Sequence, residues 1–277
     1  MYFNKDTKRF YLNKIRIVKK EDIEYVILVD LETSNDDKTF FDCSIRVVNI
    51  KTGLVVARYS FVLIESWLTK DVINGCYSKK KKKAYKKMLE SGKYEFITRE
   101  ELNDLLNKLI KEYHIQYFSA FNGAFDLESI YRTLDIERPR TKWFKFSILK
   151  KYECLFKTLH LIDIGTLCYI WYDKEDYANW YDKEIAIYNK DGTRKVNVEV
   201  LGRYVLKDKF FNEEHTGQSD LDIEQQLLIN AFNHPDITHI AVNLPMLWGA
   251  RILATKKLKE NTITYQALYN HVVLEKK

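Results

Sequence analysis

Residues Tyr25 to Asn35 read YVILVDLETSN, and this stretch decides the fold. Four apolar residues, Val26 to Val29, run straight into Asp30 and Glu32. A short continuous apolar run with β-branched residues predicts a strand buried on both faces. Side chains alternate along a strand, so Asp30 and Glu32 at its end point the same way. Two like charges at the lip of a buried strand are costly unless something cationic sits between them. An Asp-x-Glu pair also arises by chance. What matters is whether the chain brings further carboxylates to the same place.

Working outward, residues 1 to 24 are polar and basic, with one short strand predicted around Ile15 to Val18. After the turn-like Asn35 to Lys38, Phe40 to Ile50 and Leu54 to Ile64 are two β-rich runs separated by Lys51, Thr52 and Gly53, which predicts a hairpin. Three sequential strands on short turns predict an antiparallel meander. Residues 65 to 97 read as a partly helical insertion carrying a lysine block. Thr98 with Glu101 three residues later predicts a capping box, and Leu102, Leu105, Leu106, Leu109 and Ile110 recur at helical spacing. Ile115 to Ala120 is the next apolar run. A strand, helix and strand in that order predict a crossover, so this strand lies parallel to the first.

That strand ends in SAFNGAFDLESI, where Asn122 and Gly123 form a turn and Asp126 begins a helix running to Leu134. Ligand sites in such sheets gather at the carboxyl ends of parallel strands, where Asp30, Glu32 and Asp126 would all lie. Leu159 to Ile164 is a third parallel candidate containing Asp163. Residues 171 to 195 are rich in Tyr and Trp, with a hairpin turn at Lys190 to Gly192, and Val196 to Val205 is apolar on a helical repeat. In EEHTGQSDLDIEQQLLINAF, His215 lies in a polar loop and Asp220 starts a helix. No internal repeat or linker divides the chain, so residues 1–277 are expected to form a single domain.

The chain has 277 residues, a hydrophobic fraction of 46% and a charged fraction of 30%, the balance of a globular protein with a substantial core. No apolar segment follows the basic residues 5 to 20, and the uncharged stretch Ile240 to Ala250 is too short to span a bilayer. Neither a secretory signal nor a membrane partner is expected. Cys43, Cys76, Cys154 and Cys168 form no CxxC pair, which points to reduced cytoplasmic thiols and away from a disulfide frame or structural zinc. Net charge is +6, which favours an anionic partner. The block Lys79 to Lys83 with Lys86 and Lys87 is either a polyanion contact or a solvated helix face or loop.

Taken in order, VDLETS, AFNGAFD and His215 with Asp220 resemble the three motifs of the DEDD superfamily of 3′-to-5′ exonucleases, in the DEDDh branch typified by the proofreading subunit of a bacterial replicative polymerase. The resemblance spans roughly residues 25 to 233, and LIDIGTL is similar to the segment between the second and third motifs. It implies an RNase H-like α/β fold, a mixed five-stranded sheet flanked by helices. It also implies that Asp30, Glu32, Asp126 and Asp220 bind two Mg²⁺ or Mn²⁺ ions, with His215 as general base and Leu31, Thr33 and Asn122 contacting substrate. Carboxylate oxygens suit such hard ions, and a histidine accepts a proton near neutral pH.

Two departures stand out. Gly217 occupies the place where the family usually has alanine, and Asp222 competes with Asp220 for the third-motif role. The lysine-rich and aromatic insertions match no family motif. They would hold single-stranded nucleic acid through phosphate contacts and stacking, or Trp171, Trp180 and Tyr181 would pack against the sheet. The expected activity is removal of nucleoside 5′-monophosphates from the 3′ ends of single-stranded or frayed DNA. The sequence leaves open RNA ends, or a non-catalytic nucleic-acid-binding protein. A polymerase or a replication or repair complex is a candidate partner, and the Lys- and Asn-rich, Pro-poor composition fits a bacterial or phage-encoded cytoplasmic protein.

Overall fold

The computed structural model describes residues 2–4, 9–11, 16–33, 39–67, 78–134, 154–172, 175–188, 192, 194, 197–208, 210–211, 216–235 and 237–244. Its strands are β1 (Tyr2–Asn4), β2 (Arg9–Tyr11), β3 (Arg16–Lys19), β4 (Tyr25–Thr33), β5 (Phe40–Asn49), β6 (Val55–Leu63), β7 (Glu95–Ile97), β8 (Tyr117–Ala120), β9 (His160–Asp163) and β10 (His239–Val242). Its α-helices are α1 (Ile64–Trp67), α2 (Ser78–Glu90), α3 (Arg99–Glu112), α4 (Ala124–Leu134), α5 (Ile164–Leu167), α6 (Tyr169–Tyr172), α7 (Glu175–Glu184), α8 (Val198–Leu206) and α9 (Gly217–Asn233).

The main sheet has six strands in the order β7-β6-β5-β4-β8-β9. Strands β4, β5 and β6 form the expected antiparallel meander, and β8 and β9 run parallel to β4. This is the RNase H-like mixed arrangement with one strand more than the five expected. The extra strand, β7, lies parallel to β6 and comes from the stretch read as an insertion. Three residues, of which only Ile97 is buried, carry too little alternation to announce a strand. At the β5–β6 hairpin the chain turns on Gly53, whose φ of +74° disfavours any residue with a Cβ.

Period two along β4 divides the core. Ile27, Val29 and Leu31 share one apolar layer with Leu102, Leu106 and Leu109 of α3 and Leu127, Ile130 and Leu134 of α4. Val26 and Leu28 share the opposite layer with Leu201 of α8 and with Leu221, Leu227 and Leu228 of α9. Helix α3 carries the predicted capping box, with Thr98 Oγ1 accepting from the Glu101 N–H and Glu101 accepting from the Thr98 N–H. Trp171, Tyr177 and Tyr181 are buried in the second layer and Trp180 packs against it. The enclosed rings of Trp171, Tyr177 and Tyr181 present no face to a base, so packing is their role.

The short strand near the N-terminus, β3, pairs antiparallel with β10. Just beyond β10, Asn243 takes a left-handed φ of +61° and accepts from the Leu161 N–H at 3.1 Å. The later lysines, Lys256, Lys257 and Lys259, lie outside the described residues, as does Cys76. Among the described residues no helix is long and apolar enough to cross a membrane.

Candidate active site

The alternation that buries Val26 and Leu28 under α9 also turns Asp30 and Glu32 toward that helix. On α9 the buried residues Gly217, Asp220, Leu221, Glu224, Leu227, Leu228 and Ala231 recur three and four apart, the spacing of one helix face. Its first turn therefore sets Asp220, and its second Glu224, over the acidic end of β4. Asp126 arrives separately, on the first turn of α4 after the parallel strand β8, and is 5% exposed.

The electrostatics report this convergence. Burial raises the Asp30 carboxyl well above the usual range, and Glu224, Asp126, Asp220 and Glu32 push it up further, in that order. Asp126 is raised as well, by burial first and then by Asp163 and Glu32, while the N–H groups of its own backbone and of Leu31 oppose the rise. The donors are all carboxylate oxygens, a set matched to Mg²⁺ or Mn²⁺ and not to a soft metal. Among the described residues no three His, Cys, Asp or Glu side chains form a ready-made metal shell.

The turn between β8 and α4 is clamped from two sides. Glu224 Oε2 accepts from the Phe121 N–H at 3.2 Å, and Asp163 Oδ2 accepts from the Gly123 N–H at 3.1 Å. The other Asp163 oxygen caps α5 through the Thr166 N–H. Between the two clamped amides Asn122 adopts a left-handed φ of +57°, a conformation Asn tolerates well. A Cβ on Gly123 would come within 2.6 Å of Leu161 Cδ1, so a larger residue here would have to displace that buried side chain of β9.

The start of α9 is held by residues from other elements. Thr216, at its N-cap, makes no side-chain cap hydrogen bond. Instead the Gly217 N–H donates to Asp42 Oδ2 at 3.0 Å, and the Gln218 N–H donates to the Tyr94 hydroxyl at 2.9 Å. A carboxylate on β5 thus does what a capping side chain would, favoured also by the positive end of the helix. Asp42 Oδ2 accepts from the Tyr85 hydroxyl too. Its other oxygen is buried with no hydrogen-bond partner. Asp42 is wholly buried and its pKa is pushed up to about 7, chiefly by burial, against the hydrogen bonds that lower it.

These contacts bear on the two positions singled out in the sequence, Gly217 and Asp222. A Cβ at position 217 would lie 2.9 Å from Asp42 Oδ1 and 3.0 Å from Ser44 Oγ, so alanine would collide with the group that anchors the helix. Asp222 points away from Asp30: it pairs with the buried Arg46 at 2.5 Å and leaves its side chain 60% exposed. Arg46 also donates to the Leu221 and Gln218 carbonyls and to Gln225, so all these bonds fasten β5 to α9.

Glu32, Asp126, Asp220 and Glu224 each lie near enough to Asp30 to raise its carboxyl. Thr33 is half-buried at the end of β4, past an irregularity in the β4–β5 ladder. Leu31 turns the other way, into the α3–α4 layer, and contributes its backbone N–H to Asp126. His215 lies outside the described residues. Sequence reasoning missed Glu224, although its position one turn after Asp220 was a readable signal. It missed Asp42, Tyr85 and Tyr94 because their partners are fixed by strand register and tertiary packing.

No protein-family model matches this sequence, and no curated protein matches it. Among solved structures it is similar to one of a 3′-exonuclease in 3′-end-specific recognition of a histone mRNA stem-loop. The identity is 11%, the coverage 78% of this chain and 84% of that one, and the TM-score 0.40. So distant a likeness decides neither chemistry nor substrate.

Proposed function

We propose that this chain is a metal-dependent 3′-to-5′ exonuclease of the DEDDh type, acting on single-stranded or frayed DNA ends and releasing nucleoside 5′-monophosphates. The observation that carries the proposal is the approach of Glu32, Asp126 and Asp220 to Asp30, from one strand end and two helix starts, so that all three raise the Asp30 carboxyl. Such a concentration of carboxylates is destabilising on its own. Two unit charges about 4 Å apart repel by roughly 4 kcal/mol at an effective dielectric of 20.

In this reading Asp30, Glu32, Asp126 and Asp220 hold two Mg²⁺ or Mn²⁺ ions. When bound, such a pair supplies charge neutralisation, activation of the attacking water and stabilisation of the departing 3′ oxygen. The protein's share is positioning and proton transfer. His215 accepts the proton of the attacking water through an imidazole nitrogen. Glu224 and Asp163 keep the Phe121 to Gly123 turn in place, which presents Asn122 to the substrate and fixes the start of α4 beneath Asp126. Asp42 and Tyr94 hold the first turn of α9 and so the placement of Asp220.

The test uses end-labelled DNA and RNA oligonucleotides incubated with Mg²⁺, Mn²⁺ or EDTA. Stepwise shortening from the 3′ end that EDTA stops and Asp30→Asn or Asp126→Asn abolishes is the expected result. Cleavage of RNA alone would assign an exoribonuclease. Binding without cleavage by the wild type under every condition would overturn the enzymatic reading.

A further inference from the structure

Helix α2 bears seven lysines and one glutamate in the sequence SKKKKKAYKKMLE. Like charges three and four apart destabilise a helix by about 0.2–0.5 kcal/mol per pair, so this composition does not serve helix formation. What fixes the helix is its inner side. Tyr85 is wholly buried, in edge-on contact with Phe41 at 5.6 Å, Trp67 at 5.8 Å and Tyr94 at 5.7 Å between ring centres. Met88 and Leu89 pack against the same cluster.

The anchor also joins the helix to the acidic site. The Tyr85 hydroxyl donates to Asp42, and Asp42 stands directly opposite Glu32 in the β4–β5 ladder. Cross-strand partners share a face of the sheet, so α2 is fastened one residue away from a candidate metal ligand. At about 100° per residue, Lys83 and Lys87 lie roughly 200° around the helix from Tyr85, and Lys86 roughly 100°. All three are exposed. Lys86 meets Glu90 at 3.8 Å, with both side chains well over half exposed, a contact weak enough to exchange for a phosphate.

We propose that the Lys83, Lys86 and Lys87 face of α2 is a clamp for the phosphate backbone of single-stranded nucleic acid, gripping the strand upstream of the 3′ end that reaches the carboxylates. The placement rests on the exonuclease reading; the binding face does not. A helix about 10–12 Å across puts these ammonium groups on the order of 15–20 Å from Asp42. Phosphates are roughly 3.4 Å apart along each strand of a stacked duplex and wider apart in an extended single strand, so the clamp meets the backbone a few nucleotides from the end. Substrates shorter than that bypass it.

The experiment compares the wild type with the full chain carrying Lys83→Gln, Lys86→Gln and Lys87→Gln. All three positions are on the surface, and equal melting temperatures will verify folding. Binding of a fluorescent single strand about 15 nucleotides long and of a trinucleotide is followed by anisotropy in EDTA over a range of salt, and hydrolysis of both in Mg²⁺. Loss of three phosphate contacts lowers the slope of log Kd against log salt by about 2 and weakens the longer strand at least tenfold. Trinucleotide binding and turnover are expected to be unchanged. Unaltered affinity for the longer strand, or an equal loss on both lengths, overturns the clamp. Lysine-dependent binding of the longer strand without any hydrolysis by the wild type would sustain the binding face while the exonuclease reading fell.

Discussion

Replacing Asp42 by asparagine isolates the electrostatic consequence of burying a carboxyl at the start of α9. Its pKa stands at about 7 in the folded chain against an ordinary value of 3.8. Between those values the folded protein holds a proton that the unfolded chain has released. Stability from this group is therefore greatest at low pH, falls as pH rises from about 4 to about 7, and is level above that. Three pH units at about 1.4 kcal/mol each amount to about 4 kcal/mol. Asparagine keeps an acceptor for Tyr85, Tyr94 and Gly217 and does not titrate. Urea unfolding of both proteins in EDTA, at several pH values between about 4 and 8, should show the variant gaining about 4 kcal/mol relative to wild type across that range. Asp30 and Asp126 tilt both curves alike and drop out of the difference. Parallel curves would refute the argument, because they would mean that Asp42 is ionised throughout or solvated.

Gly217→Ala should destabilise the protein by about 1–3 kcal/mol in urea unfolding, since the added Cβ meets Asp42 and Ser44 at 2.9 and 3.0 Å; a neutral effect would mean that α9 starts elsewhere. Asp220→Asn should abolish metal-dependent hydrolysis, whereas Asp222→Ala should leave kcat intact and cost about 1–2 kcal/mol by removing an acceptor from Arg46. Mg²⁺ or Mn²⁺ should raise the wild-type melting temperature by several degrees, through binding to the folded state alone, and Asp30→Asn should remove most of that rise. Glu224→Gln keeps an acceptor for the Phe121 N–H, so its turnover should fall less than that of Glu224→Ala, which releases the turn.

Much of the fold was legible because local pattern and tertiary role coincide. The run Val26 to Val29 is apolar throughout because both faces of β4 are covered, and the capping box at Thr98 is satisfied within four residues. Asp30, Glu32 and Asp126 were readable for the same reason, sitting just past apolar runs, whereas Asp220 was readable from its place at the start of an apolar helix after a polar loop. What escaped depends on register. That Asp42 opposes Glu32, and that Arg46 lies two pairs further along the same face, follow from hydrogen-bond pairing that no single strand encodes. Strand β7 escaped because it borrows its order from β6. The aromatic stretch was ambiguous because burial and base stacking select the same residue types.

Arg46 sharpens the case for an external cation. In the β4–β5 ladder it pairs with Leu28, and the next pair on that face is Asp30 with Ser44. A buried guanidinium thus lies within one pleat of the acidic strand end, close enough in principle to neutralise it. Its contacts run instead to Asp222, Gln225 and two carbonyls, all on α9. A planar fork fitted to those acceptors is held in direction as well as place. The largest influences on Asp30 are burial and neighbouring carboxylates, and each raises its pKa. The chain brings a permanent cation to this face and uses it to seat the helix that carries Asp220; in the proposed function, metal ions from solution would meet the charge at the end of β4. Arg46→Met, which removes the fork but keeps an apolar arm, should accordingly lower stability and misplace Asp220: metal half-saturation would weaken, while any hydrolysis would remain sensitive to EDTA.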